Sequence, residues 1–329
     1  MADKIYNWGI IGPGKIAKKF AEALKIEDRS RLIGVASRDL SRAKAFASLY
    51  EAPKAYGDYM DLIRDPEVDV VYIATPHTFH FPIAKACIEN NKPVLVEKPM
   101  TIDESQSRVL SALSKSKKVF LMEALWTRFI PMTHSILQTI QQGTIGDIQY
   151  IKADFGFPAA YSPTGRLFDP SLGGGSLLDV GIYPLFLCYL LLGAPERVMA
   201  TGRLSNEKID LDCQATLQYM DNKTASIGSS IHYQMPITAE ITGTKGQIQI
   251  PCPWYKNHYY YLQTEMNKWD KVECSALKNG FEYEIAEVVD CLKSGLTESP
   301  QWPMSSTLSL SKTMDEIKQQ LGISYPVQQ

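Results

Sequence analysis

Apolar residues fall along this chain in two rhythms. Up to about residue 125, short unbroken apolar runs alternate with stretches in which apolar positions recur at helical spacing. Trp8-Gly9-Ile10-Ile11 reads as a short buried strand, and Ile16, Phe20 and Leu24 then mark one face of a helix. Further strands are expected at 32–36, 68–74, 94–96 and 119–122, the third stopped by Thr75-Pro76 and the fourth by Pro99. Near-continuous apolar strands alternating with helices predict a parallel sheet covered on both faces.

After about residue 145 the strands follow one another on short turns, at 148–157, 197–204, 213–220, 224–231, 237–242 and 247–250. Asp221-Asn222-Lys223 and Gly243-Thr244-Lys245-Gly246 have hairpin turn chemistry, so this sheet is expected to be open and mostly antiparallel. One helix is predicted from near Gly175 to about Leu192, and two late ones over 281–292 and 308–321. Ser299-Pro300-Gln301-Trp302-Pro303 reads as a connector, and Tyr259-Tyr260-Tyr261 as a strand tract without assigned function. The fold class that follows is α/β: an N-terminal domain over 1–125 with a parallel sheet, then a C-terminal α+β domain over 126–329 with an open, mostly antiparallel sheet.

Composition narrows the classes. At roughly 150 residues per domain, 329 residues suit two domains. Lys+Arg 34 against Asp+Glu 36 gives a net charge of −2, which argues against nucleic acid and against a polybasic membrane anchor. The longest apolar run, 185–192, is far short of the roughly 18 residues of a membrane span and reads as a buried helix. Met1-Ala2-Asp3-Lys4 leads straight into the first strand, so no signal peptide is expected. Six scattered cysteines without a CxxC pair give no zinc or thioredoxin signal and suit a cytoplasmic location.

Gly12-Pro13-Gly14-Lys15-Ile16-Ala17 fits G-x-G-x-x-A between a strand and a helix. Gly12 allows the turn, Gly14 lets the backbone approach a pyrophosphate, Ala17 lets helix and sheet pack, and the helix N-terminus around Lys15 and Ile16 offers N–H groups. At the end of the second strand Ser37-Arg38 stands where the adenosine ribose belongs; a hydroxyl and a guanidinium suit the 2′-phosphate of NADP in preference to NAD. Asp39, one position late for the usual ribose-binding acid, is expected to cap the helix that follows.

Three later motifs recur in order, Ala74-Thr75-Pro76-His77-Thr78-Phe79-His80, Glu97-Lys98-Pro99, and Gly173-Gly174-Gly175 through Asp179 to Tyr183, joined by Glu123-Ala124-Leu125-Trp126-Thr127-Arg128-Phe129 and by the tail from Gly280-Phe281 to Glu298-Ser299-Pro300. With the glycine loop they resemble the Gfo/Idh/MocA oxidoreductases over essentially the whole chain, and within that family the dimeric dihydrodiol dehydrogenase / NADP-dependent D-xylose dehydrogenase branch. The resemblance implies an N-terminal Rossmann domain over 1–125 followed by an open mixed sheet, and reversible hydride transfer between NADP(H) and a carbinol of a sugar or cyclic diol. It places Lys98 in the active site, held by Glu97, and puts Tyr183 at the position where many relatives have a histidine general base. A phenol of pKa about 10 needs a cationic neighbour to work near neutral pH, and Lys98 is the candidate. Asp179, four residues earlier, orients Lys98 or a substrate hydroxyl. Thr75, Pro76, His77 and His80 border the cofactor on this reading, although both histidines also fit structural roles.

Trp126, Arg128 and Phe157 are expected to line the substrate, with Phe129 and Phe281 divided between that wall and ordinary core. A non-catalytic dinucleotide-binding sensor or transcriptional regulator of the same fold, and a reductase acting on anhydrosugars, are the competing readings; intact Lys98 and Tyr183 weigh against the sensor. A homodimer is expected through the C-terminal sheet. There Cys213, Ala215, Leu217 and Tyr219 form one face, able to cover helices, and Gln214, Thr216 and Gln218 the other. With Ser226, Gly228 and Ser230 the second face is small, flat and mildly polar, suited to a second copy or to solvent.

Overall fold

The computed structural model describes residues 4–326; Met1, Ala2 and Asp3, on which the expected absence of a leader rests, lie outside them. The chain divides into two compact units, residues 1–129 with 278–308, and residues 130–277 with 309–329.

In the first unit the chain runs β1 (Tyr6–Ile11), α1 (Lys15–Leu24), β2 (Ser30–Ala36), α2 (Leu40–Tyr50), β3 (Lys54–Tyr56), α3 (Tyr59–Arg64), β4 (Val70–Ile73), α4 (His80–Glu89), β5 (Val94–Glu97), α5 (Glu104–Lys117) and β6 (Leu121–Ala124). Among the described residues these strands form a six-stranded sheet in the order β3-β2-β1-β4-β5-β6, every pair parallel. β4, β5 and β6 are buried at every position, including Glu97 at the end of β5 and Glu123 within β6. The order reverses between β1 and β4, which places the carboxyl ends of those strands, Gly12 and Ala74-Thr75, side by side.

The second unit contains α6 (Pro131–Gln141), β7 (Ile148–Gly156), a π-type turn (Leu177–Gly181) continuing into α7 (Ile182–Leu192), and β8 (Arg197–Leu204), β9 (Asp210–Gln218), β10 (Thr224–Ser230), β11 (Ala239–Gly243), β12 (Gln247–Ile250), β13 (Tyr259–Glu265) and β14 (Lys268–Glu273). Its strand order is β14-β13-β12-β11-β7-β10-β9-β8. Only the β7–β10 pair is parallel; the others are antiparallel. The stretch Pro170–Leu192 is long and apolar enough to cross a membrane by composition, but most of it is buried here. The helix expected from Gly175 is thus a π turn followed by an α-helix.

The last helices are α8 (Glu282–Lys293) and α9 (Met304–Leu321). The sequence suggests a single division at residue 125; the structure instead packs 278–308 into the first unit. Phe281 stands edge-on to Phe20 of α1, Arg29 pairs with Asp290 at 2.5 Å, and the Asn279 amide donates to the Lys19 carbonyl. The supposed connector is also anchored: the Trp302 indole donates to Glu123 of β6, and the Arg128 guanidinium to the Gln301 carbonyl. β3 is too short to show in a hydrophobic pattern, and β14 is a largely exposed edge strand of charged residues.

The open face of the second sheet is smaller than its pattern suggests. Gln214 is exposed, Thr216 and Ser226 are half-buried, and Ala215, Leu217, Ala225 and Ile227 are buried, as alternation demands. Gly228 and Ser230, assigned to the open face, are buried instead, with Met235 lying against Gly228. Ser230 also accepts the N–H groups of His232 and Tyr233.

Candidate active site

The glycine loop is built to exclude side chains. Gly12 has φ +93°, and a Cβ there would lie 2.8 Å from the Ala74 carbonyl oxygen and 2.9 Å from the Thr75 nitrogen. Both obstacles are backbone, so glycine is required. Gly14 caps α1 without a side-chain bond, and no acid stands in the first turn. The α1 N-terminus therefore keeps its free N–H groups and partial positive charge for an anion. Beside it the Thr75 hydroxyl is buried without a partner. A glycine cradle, an uncapped helix end and a hydroxyl without a partner among the described residues fit the pyrophosphate of a dinucleotide.

At the end of β2 the Ser37 hydroxyl accepts the Asp39 N–H. Asp39 is the N-cap of α2, accepting from the Ser41 N–H at 2.9 Å, the Ser41 hydroxyl at 2.6 Å and the Arg42 N–H at 3.4 Å. The hydrogen bond from Ser41 leads in holding its carboxyl below the ordinary range. Arg38 lies over the Phe79 ring, 5.1 Å from the centroid, which brings the ends of β2 and β4 together.

His80 works from inside. It is 0% exposed, with Nδ1 2.9 Å from the Pro99 carbonyl oxygen and Nε2 2.8 Å from that of Thr75. It braces the two strand-end turns that carry Thr75 and Lys98, and burial lowers its pKa. His77, also buried, meets it edge-on. Glu97 accepts the Tyr72 hydroxyl and the Lys98 N–H, which fixes the start of the Lys98-Pro99 turn. Glu123 and Glu284 are also buried in this unit. Glu123 accepts from the Met100 N–H, the Trp302 indole and the Thr307 hydroxyl. Glu284 is wholly buried, and neither of its oxygens has a partner. Burial, then the charge of Glu97, push its pKa well above the usual carboxylate range.

In the second unit Tyr183 stands in the first turn of α7, directly after the π turn that carries Asp179. Its ring lies 5.5 Å from Phe155 and 5.3 Å from Tyr255, which stack on each other at 4.4 Å, and Phe155 leads on to Phe157. Asp179 accepts from Arg166 at 2.7 Å. Arg166, Phe155 and Tyr255 were not singled out in the sequence. Phe155 shares the Phe157 side of β7 by period two; Tyr255 gave no signal, because a turn after β12 delivers it. Trp126, expected against substrate, and Phe281, divided between that wall and ordinary core, stack on each other at 5.0 Å and are 5% and 2% exposed; in this structure they pack the core of the first unit with Phe129. Arg128 is half-buried and tied to Gln301. Lys98 stands in the first unit, and Tyr183 and Asp179 in the second.

Residues 6–125 match the model of the oxidoreductase family with an NAD-binding Rossmann fold, and residues 134–249 that of the GFO/IDH/MocA C-terminal domain. The chain belongs to the Gfo/Idh/MocA oxidoreductase family. Like other dehydrogenases of that family, it acts on CH–OH groups with a nicotinamide dinucleotide. Curated Gfo/Idh/MocA relatives include trans-1,2-dihydrobenzene-1,2-diol dehydrogenases from Xenopus laevis, 37% identical (97% of this chain, 99% of the relative), and from Homo sapiens, 35% identical (97% and 98%). Among solved structures, an aldose-aldose oxidoreductase from Caulobacter crescentus, complexed with glycerol, superposes with a TM-score of 0.88 at 22% identity, covering 97% of this chain and 98% of that one. A 3-ketoreductase from Actinomadura kijaniata, in complex with NADP and TDP-benzene, gives 0.85 at 24%, covering 96% and 98%. At these identities the two structures share the Gfo/Idh/MocA fold.

Proposed function

We propose that this protein is an NADP-dependent dehydrogenase or reductase of a sugar or cyclic diol. The observation that carries the reading is Tyr183, a phenol at the head of α7 set against the Phe155–Tyr255 stack. Such a surround suits the flat, apolar face of a ring whose hydroxyls need a proton acceptor. The full-length similarity to dehydrogenases named for a cyclic diol supports the same class. Bound nicotinamide supplies the hydride acceptor and donor. Gly12, Gly14, Thr75 and the α1 N-terminus with Lys15 and Ile16 hold the pyrophosphate. Ser37 and Arg38 hold the 2′-phosphate, and Pro76, His77 and Glu97 shape the nicotinamide end. Tyr183 takes the proton from the carbinol hydroxyl oxygen and returns it in the reverse direction. Lys98, as an ammonium, favours the phenolate and orients the hydroxyl. Asp179, paired with Arg166, and Phe157 orient the substrate.

On this reading the domain over 1–125 carries the cofactor, and the remainder carries substrate and a homodimer contact. That contact uses the open face of the second sheet, where Met199, Thr216 and Ser226 are register neighbours on β8, β9 and β10. The six free cysteines suit a reducing cytoplasm. The test is a panel of aldoses, polyols and trans-dihydrodiols followed at the NADPH absorbance, with wild type and Tyr183→Phe. Turnover of a sugar or diol by wild type, and a kcat lower by roughly 10²–10⁴-fold in the variant with unchanged NADPH affinity, is the expected result. NADPH binding without turnover on any substrate would leave a sensor.

A further inference from the structure

The π turn ahead of Tyr183 is held by a group that neither the motif nor the proposed chemistry uses. Asp210, at the start of β9, is 0% exposed. Its Oδ2 accepts the Ser176 hydroxyl at 2.6 Å and the Leu177 N–H at 2.6 Å, so it caps the first residues of the turn. Ser176 also shares a hydrogen bond with Ser229 of β10 at 2.8 Å. A Cβ added at Gly181, the last residue of the turn, would lie 3.0 Å from the Ser229 hydroxyl. Gly175 has φ +118°, and a Cβ there would collide with Asp210 Oδ1, which is buried without a partner. Tyr325 closes the other side by donating to the Gly174 carbonyl at 2.7 Å. Burial pushes the Asp210 carboxyl up to about 6 against the pull of Ser176 and Leu177.

An isolated buried carboxylate is costly, and a π turn is uncommon in a helix. Here each answers the other. The head of the turn offers the Leu177 N–H and the Ser176 hydroxyl, and Asp210 collects both from the neighbouring strand. The turn thereby sets both the height and the rotation at which α7 begins, hence where the Tyr183 hydroxyl stands. We propose that Asp210 is a positioning residue for the oxidoreductase reaction, acting through the Ser176–Leu177 clamp to fix Tyr183; this rests on Tyr183 being the proton carrier.

Four variants test it: Asp210→Ala, Asp210→Asn, Tyr183→Phe and the double variant Asp210→Ala/Tyr183→Phe. Displacement of a reacting group by about 1 Å can cost roughly a hundredfold. Asp210→Ala is therefore expected to lower kcat by about ten- to a hundredfold while leaving the KM for the dinucleotide unchanged. Asp210→Asn, which keeps an acceptor oxygen toward Ser176 and Leu177, should recover kcat to within about threefold of wild type. The double variant should be no slower than Tyr183→Phe alone, because both losses run through one hydroxyl. Wild-type kcat in Asp210→Ala beside an inactive Tyr183→Phe overturns the inference, as do losses that multiply in the double variant. Full activity of Tyr183→Phe overturns instead the reading of Tyr183. Should Asp210→Ala fail to fold, Ser176→Ala removes one leg of the clamp and leaves the carboxylate. A severalfold loss in kcat at constant KM then supports the inference, and wild-type kcat overturns it.

Discussion

Arg38 and Asp39 are sequence neighbours of opposite charge, and their surroundings give them different work. Asp39 is spent on the first turn of α2, while Arg38 lies over the Phe79 ring. The carboxylate that could repel a 2′-phosphate is thus engaged elsewhere. Charge-assisted hydrogen bonds contribute about 1.5–3 kcal/mol. Arg38→Ala should therefore raise the KM for NADP roughly ten- to a hundredfold and leave that for NAD almost unchanged. Steady-state kinetics with both cofactors check this; equal kcat/KM for NADP and NAD in wild type would move the ribose contact to Asp39. Glu284 gives a second residue-scale expectation. Its folded pKa is raised, so the folded state holds the proton where the unfolded state has lost it. The stability from that proton is complete below the unfolded value of about 4.3 and is lost as pH rises toward the folded value. Glu284→Gln cannot ionise, so its Tm should exceed that of wild type by about 2 °C or more at pH 8, with the gap closing near pH 4. A gap that stays constant with pH would show that Glu284 is ionised in the fold.

At the scale of elements, the two terminal motifs act as one. Glu123 sits on β6, with Met100, Trp302 and Thr307 all donating to it. The hydrophobic pattern placed the fifth strand at 119–122, two residues early, because a glutamate in a buried strand breaks an apolar run. Its burial is tolerable because donors from the tail surround it. Glu123→Ala would orphan those donors inside the core and should cost about 3 kcal/mol. The denaturation midpoint measures this, and loss of less than about 1 kcal/mol would mean that the tail is held by other contacts. The same network explains why residues 299–303 are no loose connector: the Ser299 hydroxyl reaches Glu287 at 2.5 Å, and Trp302 is buried.

For the whole molecule, the open face of the second sheet is the surface proposed to meet a second copy. Met199 is 39% exposed there, beside half-buried Thr216 and Ser226. Sedimentation at micromolar concentration should give about twice the 36.9 kDa of one chain. Thr216→Arg, which puts a long cation in the middle of a self-facing surface, should shift the species toward monomer. A wild-type protein that sediments only as monomer would remove the homodimer.

The sequence by itself determined the rhythm of both sheets, the glycine loop and the Asp39 cap. Each of those depends on a local rule: period, backbone freedom, or side-chain chemistry within a few residues of the chain. Other features were decided only by the tertiary structure. They are the return of residues 278–308 to the first unit, the parallel β7–β10 pair, the Phe155–Tyr255 setting of Tyr183, and the π turn clamped by Asp210. These join positions far apart in the chain, and a buried carboxylate or an exposed edge strand carries no periodic mark of its partner. What makes Asp210 or Glu123 tolerable is a set of donors from elsewhere in the sequence, and folding alone brings them within 3.3 Å.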